Sequence, residues 1–140
     1  MLVLVDRDDD DCIELKKQLE LAAVRSGLPT LTRHADRAPI VASRIVCEEL
    51  EAWFFGDFPA LHQAYPRLPE TLTGKSKYRD PDAIRGAAEQ LERLLQRAGC
   101  FRVGVSKLDV ATAVAPHMDV TNNRSASSQA FVSGLRRLVE

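Results

Sequence analysis

The chain opens with four apolar residues in a row, Leu2-Val3-Leu4-Val5, and runs straight into Asp6, Arg7, Asp8, Asp9, Asp10 and Asp11. An unbroken apolar run this short, closed by polar residues, predicts a central parallel strand buried on both faces. From Cys12 the period changes. Cys12, Leu15, Leu19 and the Ala22-Ala23 pair recur at helical spacing, Asp11 and Glu14 form a capping box, and Gly27-Leu28-Pro29 stops the helix. Residues 30–41 are mixed and hold a short strand or none. Ser43 to Cys47 is a second strand, leading into Glu48-Glu49-Leu50-Glu51-Ala52-Trp53-Phe54-Phe55, which either continues extended or turns helical.

Pro59 to Tyr65 predicts a short helix with proline at its start. Residues 66–81, with Pro66, Pro69, Gly74 and Pro81, predict a long loop. The strongest amphipathic pattern covers 82–98, through Ile84, Ala87-Ala88, Leu91 and Leu94-Leu95, and ends at Gly99. Helices around 108–115 and 127–139 complete the chain. The order predicts one α/β domain over 1–140: a mostly parallel sheet flanked by helices, with helix exceeding strand.

Length and composition narrow the class. At 140 residues the chain suits one domain with a real core. A net charge of -1 gives no global attraction to polyanions, so nucleic-acid binding requires a local basic patch or metal ions. Cys12, Cys47 and Cys100 lack disulfide or zinc spacing and read as reduced thiols, which favours the cytoplasm. No apolar run approaches a membrane span, and no signal peptide is visible.

The candidate chemistry is carboxylate chemistry. Asp6 and Asp8 lie two apart on an extended chain and point to the same side, so they can share one divalent cation, Mg²⁺ or Mn²⁺, at the carboxyl edge of the sheet. Asp10 and Asp11 suit a helix amino terminus instead. Beyond the second strand, Glu49, Glu51 and Trp53 share a face if the chain is extended, and Glu48 and Glu51 share one if it is helical. One of these glutamates is a candidate further ligand. Lys75, Lys77 and Arg79, with Tyr78 able to stack on a base, have the composition of a nucleic-acid-contacting segment, and equally of a solvated loop. Lys107 and Asp109 are weaker candidates. His34, His62 and His117 show no metal spacing, and no Walker-type, nucleophile-elbow or dinucleotide-binding glycine motif is present.

These residues resemble the Toprim-like superfamily and, more narrowly, the bacterial group known as domain of unknown function 4276. The likeness spans nearly the whole chain. It rests on the Asp6-Arg7-Asp8 strand, on Glu49-Leu50-Glu51-Ala52-Trp53 with Asp57, on Pro81-Asp82-Ala83-Ile84 as a helix start, and on Ser128-Gln129-Ala130-Phe131 with Leu135. Toprim domains bind Mg²⁺ through a glutamate and a later Asp-x-Asp, and act on phosphodiesters. The resemblance therefore implies a metal-dependent nuclease with Asp6 and Asp8 as ligands, Glu49 or Glu51 as a supporting acid, and Trp53 as structural. It also implies nucleic acid as ligand and a partner ATPase in a bacterial defence setting; a homodimer is compatible with it. A Toprim domain carries its first strand and glutamate upstream of Asp-x-Asp, and here Met1 already lies in the Asp-x-Asp strand, so that part is expected to be lacking.

Two other classes fit parts of the pattern. A haloacid-dehalogenase-like phosphatase would use Asp6 as nucleophile and Asp8 as acid, although Asp10 departs from its motif and Lys107 with Asp109 is a poor match for its later residues. A degenerate, non-catalytic module would instead hold a partner through exposed Trp53-Phe54-Phe55.

Overall fold

The computed structural model describes residues 1–7, 9–32 and 38–139. Two strands, β1 (Leu2–Asp6) and β2 (Ala42–Val46), pair in parallel, with Leu2 opposite Ala42 and Asp6 opposite Val46. The crossover between them contains α1 (Cys12–Arg25). Then follow α2 (Glu51–Gly56), α3 (Phe58–Ala64), 3₁₀ turns at Glu70–Gly74, Ser76–Tyr78 and Pro81–Ala83, α4 (Ala87–Arg97), α5 (Lys107–Val114) and α6 (Ala126–Val139). The α/β class, the parallel pairing and the dominance of helix, 56% against 9% strand, agree with the sequence pattern.

The first helix starts where its cap dictates. The Asp11 carboxylate accepts hydrogen bonds from the backbone N–H of Ile13 (3.0 Å) and Glu14 (2.9 Å), so it satisfies two donors that the helix itself leaves open. The helix then packs on β2 through Glu20, which is buried beside Thr30, Thr32 and Ser43. On the opposite face, Arg44 lies under α6, where Gly134 leaves room for its guanidinium and the Ala130 carbonyl accepts from Nε at 2.7 Å. Neighbouring strand residues point to opposite faces, so Ser43 and Arg44 serve different helices.

Three expectations are corrected. The first strand is not a central one: among the described residues it pairs only with β2, and Leu4 is 40% exposed. The amphipathic helix begins at Ala87, not at 82, because Pro81–Ala83 is a 3₁₀ turn and Gly86 takes a left-handed conformation just before the helix. The long loop at 66–81 is largely a string of 3₁₀ turns, with Leu72 and Tyr78 buried from within them and Leu68 from the bend before them.

The main core lies beside the sheet, not on it. Phe54, Phe55, Phe58, Leu61, Leu68, Leu72, Leu91, Leu95, Val110 and Val114 form one buried cluster from α2 to α5. Trp53, Phe54 and Phe55 are all buried, so the exposed patch expected there does not exist. Trp53 links this core to α6: its indole N–H donates to Ser127 Oγ at 2.8 Å, and its ring meets Phe131 at 5.2 Å. No helix among the described residues is long and apolar enough to cross a membrane.

Candidate functional site

The carboxyl ends of both strands open onto one edge. Asp6 closes β1 opposite Val46, and the Arg7 N–H extends the ladder by one bond to the Val46 carbonyl at 3.0 Å. After Val46 the chain turns sharply at Glu48, which has a left-handed φ of 64°. A non-glycine residue there costs about 1–3 kcal/mol and is held by its surroundings. An ion pair between the Glu48 carboxylate and Arg7 supplies that hold.

The turn decides where the acids go. Helix α2 starts only at Glu51, so neither a continuous strand nor a continuous helix sets the faces. Glu49 and Glu51 share a side, as an extended chain predicts, but Trp53 does not join them. Glu48 faces Arg7 and lines a separate polar cleft of about 520 Å³ with Asp9, Asp10, Asp11 and Arg85.

Glu49 and Glu51 converge on Lys107, the first residue of α5. Lys107 Nζ lies 3.4 Å from Glu49 Oε1 and 3.7 Å from Glu51 Oε1. The second oxygen of Glu49, Oε2, accepts from the Ala88 N–H at 3.0 Å, capping the start of α4 from a distant part of the chain. Glu51 is 7% exposed and Lys107 stands mostly in solvent. Burial lowers the Lys107 pKa, but Glu51, Glu49 and Asp6 together outweigh it and hold the ammonium above its ordinary value. Asp6 therefore acts on the same cationic position from the end of β1. Glu49, Glu51 and Lys107 line a cleft of about 250 Å³ with Glu89 and Glu92 from α4 and an apolar floor of Leu91, Val105 and Val110.

Of the expected residues, the structure brings Glu49 and Glu51 together and sets Asp6 within electrostatic reach; Asp8 and His34 lie outside the described residues. Among the described residues, no three His, Cys, Asp or Glu side chains stand close enough to hold a metal by themselves. Lys75, Lys77 and Arg79 are exposed, whereas Tyr78 is buried and stacked on Phe55 at 5.0 Å, which removes it as a base-stacking platform. Asp57 is structural: it caps α3 at the Ala60 N–H and accepts from the Asp119 N–H at 2.6 Å. Asp82 caps α6 through the Ser127 N–H at 2.8 Å, with Ser125 and Ser127 hydroxyls on its other oxygen.

Lys107 is the residue that sequence pattern undervalued. A signal existed: Ser106 accepts from the Asp109 N–H and so caps α5, leaving Lys107 in the first turn. A cation there opposes the helix dipole and calls for a compensating partner. The glutamates supply it.

A two-stranded parallel α/β layer with acids gathered at its carboxyl edge, beside a helical core, defines the class. Within it, the chain belongs to the family described as Domain of unknown function (DUF4276), whose model matches residues 1–136. No curated protein and no solved structure matches the chain.

Proposed function

We propose that the chain is a Toprim-like protein that binds Mg²⁺ or Mn²⁺ and acts on nucleic-acid phosphodiesters. One observation carries this reading: Glu49 and Glu51 converge on a single cationic position at the strand edge where Asp6 also ends. The donor set suits a hard cation, which takes oxygen ligands, keeps several waters and needs only one or two carboxylates besides phosphate. Glu49 and Glu51 would hold it, with Asp6, at the same strand edge, and Asp8, expected from the Asp-x-Asp pattern, as further acids acting through its bound waters. A bound ion of this kind polarises a phosphoryl oxygen and makes water a better nucleophile.

The chain's own residues do the rest. The Ala88 N–H orients Glu49, and burial restrains Glu51, so both carboxylates are set before a ligand arrives. Lys107 neutralises them in the absence of another cation. Its exposed side chain is free to turn outward and meet a phosphate oxygen once one is present. The test is calorimetric titration with Mn²⁺ and cleavage of single- and double-stranded nucleic acid, each beside Asp6→Ala and Glu51→Gln. Binding and cleavage lost in both variants support the reading. Absence of Mn²⁺ binding at millimolar metal removes the metal site, and equal residual cleavage in all three proteins removes the catalysis.

A second reading, a non-catalytic module, is favoured by the same Glu49 contacts. Its carboxylate ties the end of β2 to α4 and α5, as a purely structural clasp would. In that case Glu49→Gln lowers stability and leaves no metal response to lose.

A further inference from the structure

The net charge of -1 conceals a strong separation of charge across one helix. On one flank of α4, Glu89 and Glu92 face the acidic cleft with Glu49 and Glu51. On the adjoining flank, Arg93 and Arg97 line a second groove with Lys77, Tyr78, Gln90 and Leu94, of about 90 Å³, without a carboxylate in its lining. The two flanks meet along the helix, where Arg93 reaches Glu89 at 3.4 Å.

The turn at Ser76–Tyr78 builds this groove. Tyr78 is anchored inward by its stack on Phe55, and Lys77 is held outward with its ammonium 5.4 Å from the Tyr78 ring centre. Lys75 and Arg79 flank the same turn and are exposed. Among the described residues, Lys75, Lys77, Arg79 and Arg97 make no ion pair, while Arg93 has only an exposed partner, Glu89, at 3.4 Å. The three cations of the lining, with Lys75 and Arg79 at the ends of the same turn, carry little compensation, and a polyanion lowers the cost of their repulsion. By contrast, the lysine of the acidic cleft is paired twice.

We propose that the groove between Lys75–Arg79 and α4 is a track for the phosphate backbone of a nucleic acid, with Lys77, Arg93 and Arg97 as its central contacts. This rests on the phosphodiester reading above and extends it: a strand laid along the groove runs beside α4, on the flank that adjoins the acidic cleft. The buried Tyr78 offers no base platform, so recognition is by backbone charge, indifferent to sequence and steeply dependent on salt.

The experiment is fluorescence anisotropy with labelled single-stranded and duplex oligonucleotides of about 20 nucleotides, in EDTA, between about 50 and 200 mM salt. Arg93→Gln/Arg97→Gln removes two charges from an exposed helix face and keeps good helix formers. Affinity is expected to fall at least about tenfold at low salt, and the log–log salt slope by about 1.4–1.8, the loss of two phosphate contacts. Circular dichroism and Mn²⁺ titration of this variant are expected to match the parent. Because binding is read without metal, an absent metal site does not disturb the result. The track is overturned if the parent binds neither oligonucleotide, or if the folded double variant binds with unchanged affinity and slope. Whichever oligonucleotide binds tighter with this loss names the form of the ligand.

Discussion

Lys107 places its ammonium 3.4 Å from the carboxylate of Glu49, a residue 58 positions earlier in the chain. The contact joins the start of α5 to the end of the β2 edge, and Glu51 shares the same cation.

Replacing Lys107 with Met leaves Glu49 and Glu51 facing the cleft without a counter-charge. The pair is largely exposed on the lysine side, so its loss costs only about 0.2–1 kcal/mol. Differential scanning fluorimetry should show a small fall in Tm in EDTA and a larger rise with millimolar Mn²⁺ than the parent shows, since no ammonium competes for the acids. An identical Mn²⁺ response in both proteins would count against a shared cation position.

Stability should fall as pH rises above about 10. Burial lowers the Lys107 pKa, but Glu51, Glu49 and Asp6 together outweigh it, leaving it above the ordinary value of 10.5. A raised folded pKa gives stability that is complete below the unfolded value and lost as pH climbs through the folded one. Burial also raises the phenols of Tyr65 and Tyr78 above 10.0, with the same sign, because the unfolded chain releases their protons first. Urea midpoints from pH 8 to 11 should decline, and Tyr78→Phe should shallow the decline while keeping the stack on Phe55. A flat profile contradicts both assignments.

Asp82→Ala should cost about 1–2 kcal/mol by removing the acceptor for the Ser127 N–H and two hydroxyls at the start of α6. Urea unfolding measures it. Mn²⁺ and oligonucleotide binding should be unchanged, which separates a structural aspartate from those at the strand edge.

Gly56→Ala should destabilise by about 1–3 kcal/mol, although alanine is ordinarily the better helix former. Asn123 and Ser125 press against this position: Asn123 Nδ2 donates to the Trp53 carbonyl at 2.9 Å, and an added methyl group would run into the Asn123 side chain and the Ser125 N–H. Wild-type stability in this variant would show that the 123–125 segment can move aside.

The pH response of Asp119 offers a local check. The Thr121 hydroxyl and N–H, followed by the Asn122 amide, hold its carboxyl down at about 2, against 3.8 ordinarily. Carboxyl titration by NMR should find it there, and Thr121→Val should move it back up. An unshifted value in the parent protein would mean that this turn is not formed in solution.

Both strands, the start and cap of α1, and the span of α3, α5 and α6 were legible from residue pattern, because caps, proline positions and apolar period act over a few neighbours. Where the pattern failed, a distant partner had intervened. The helical period ran on from Ile84 back to Asp82, yet Gly86 turned left-handed and Asp82 was drawn to Ser125 and Ser127, more than forty residues away. Trp53-Phe54-Phe55 looked available as a surface, yet α2 lies within the helical core and against α6.

The sequence by itself determined an α/β chain with parallel strands, more helix than strand, and acids stored at the strand ends, since each of these depends on local composition and spacing. Tertiary structure alone decided which acids meet. The left-handed turn at Glu48 sends that side chain to Arg7 and delivers Glu49 and Glu51 to Lys107, a lysine with no visible partner in the linear pattern. The same packing set Arg93 and Arg97 beside Lys77. Coulombic partners are chosen by proximity in space, and no period along the chain encodes a separation of 58 residues.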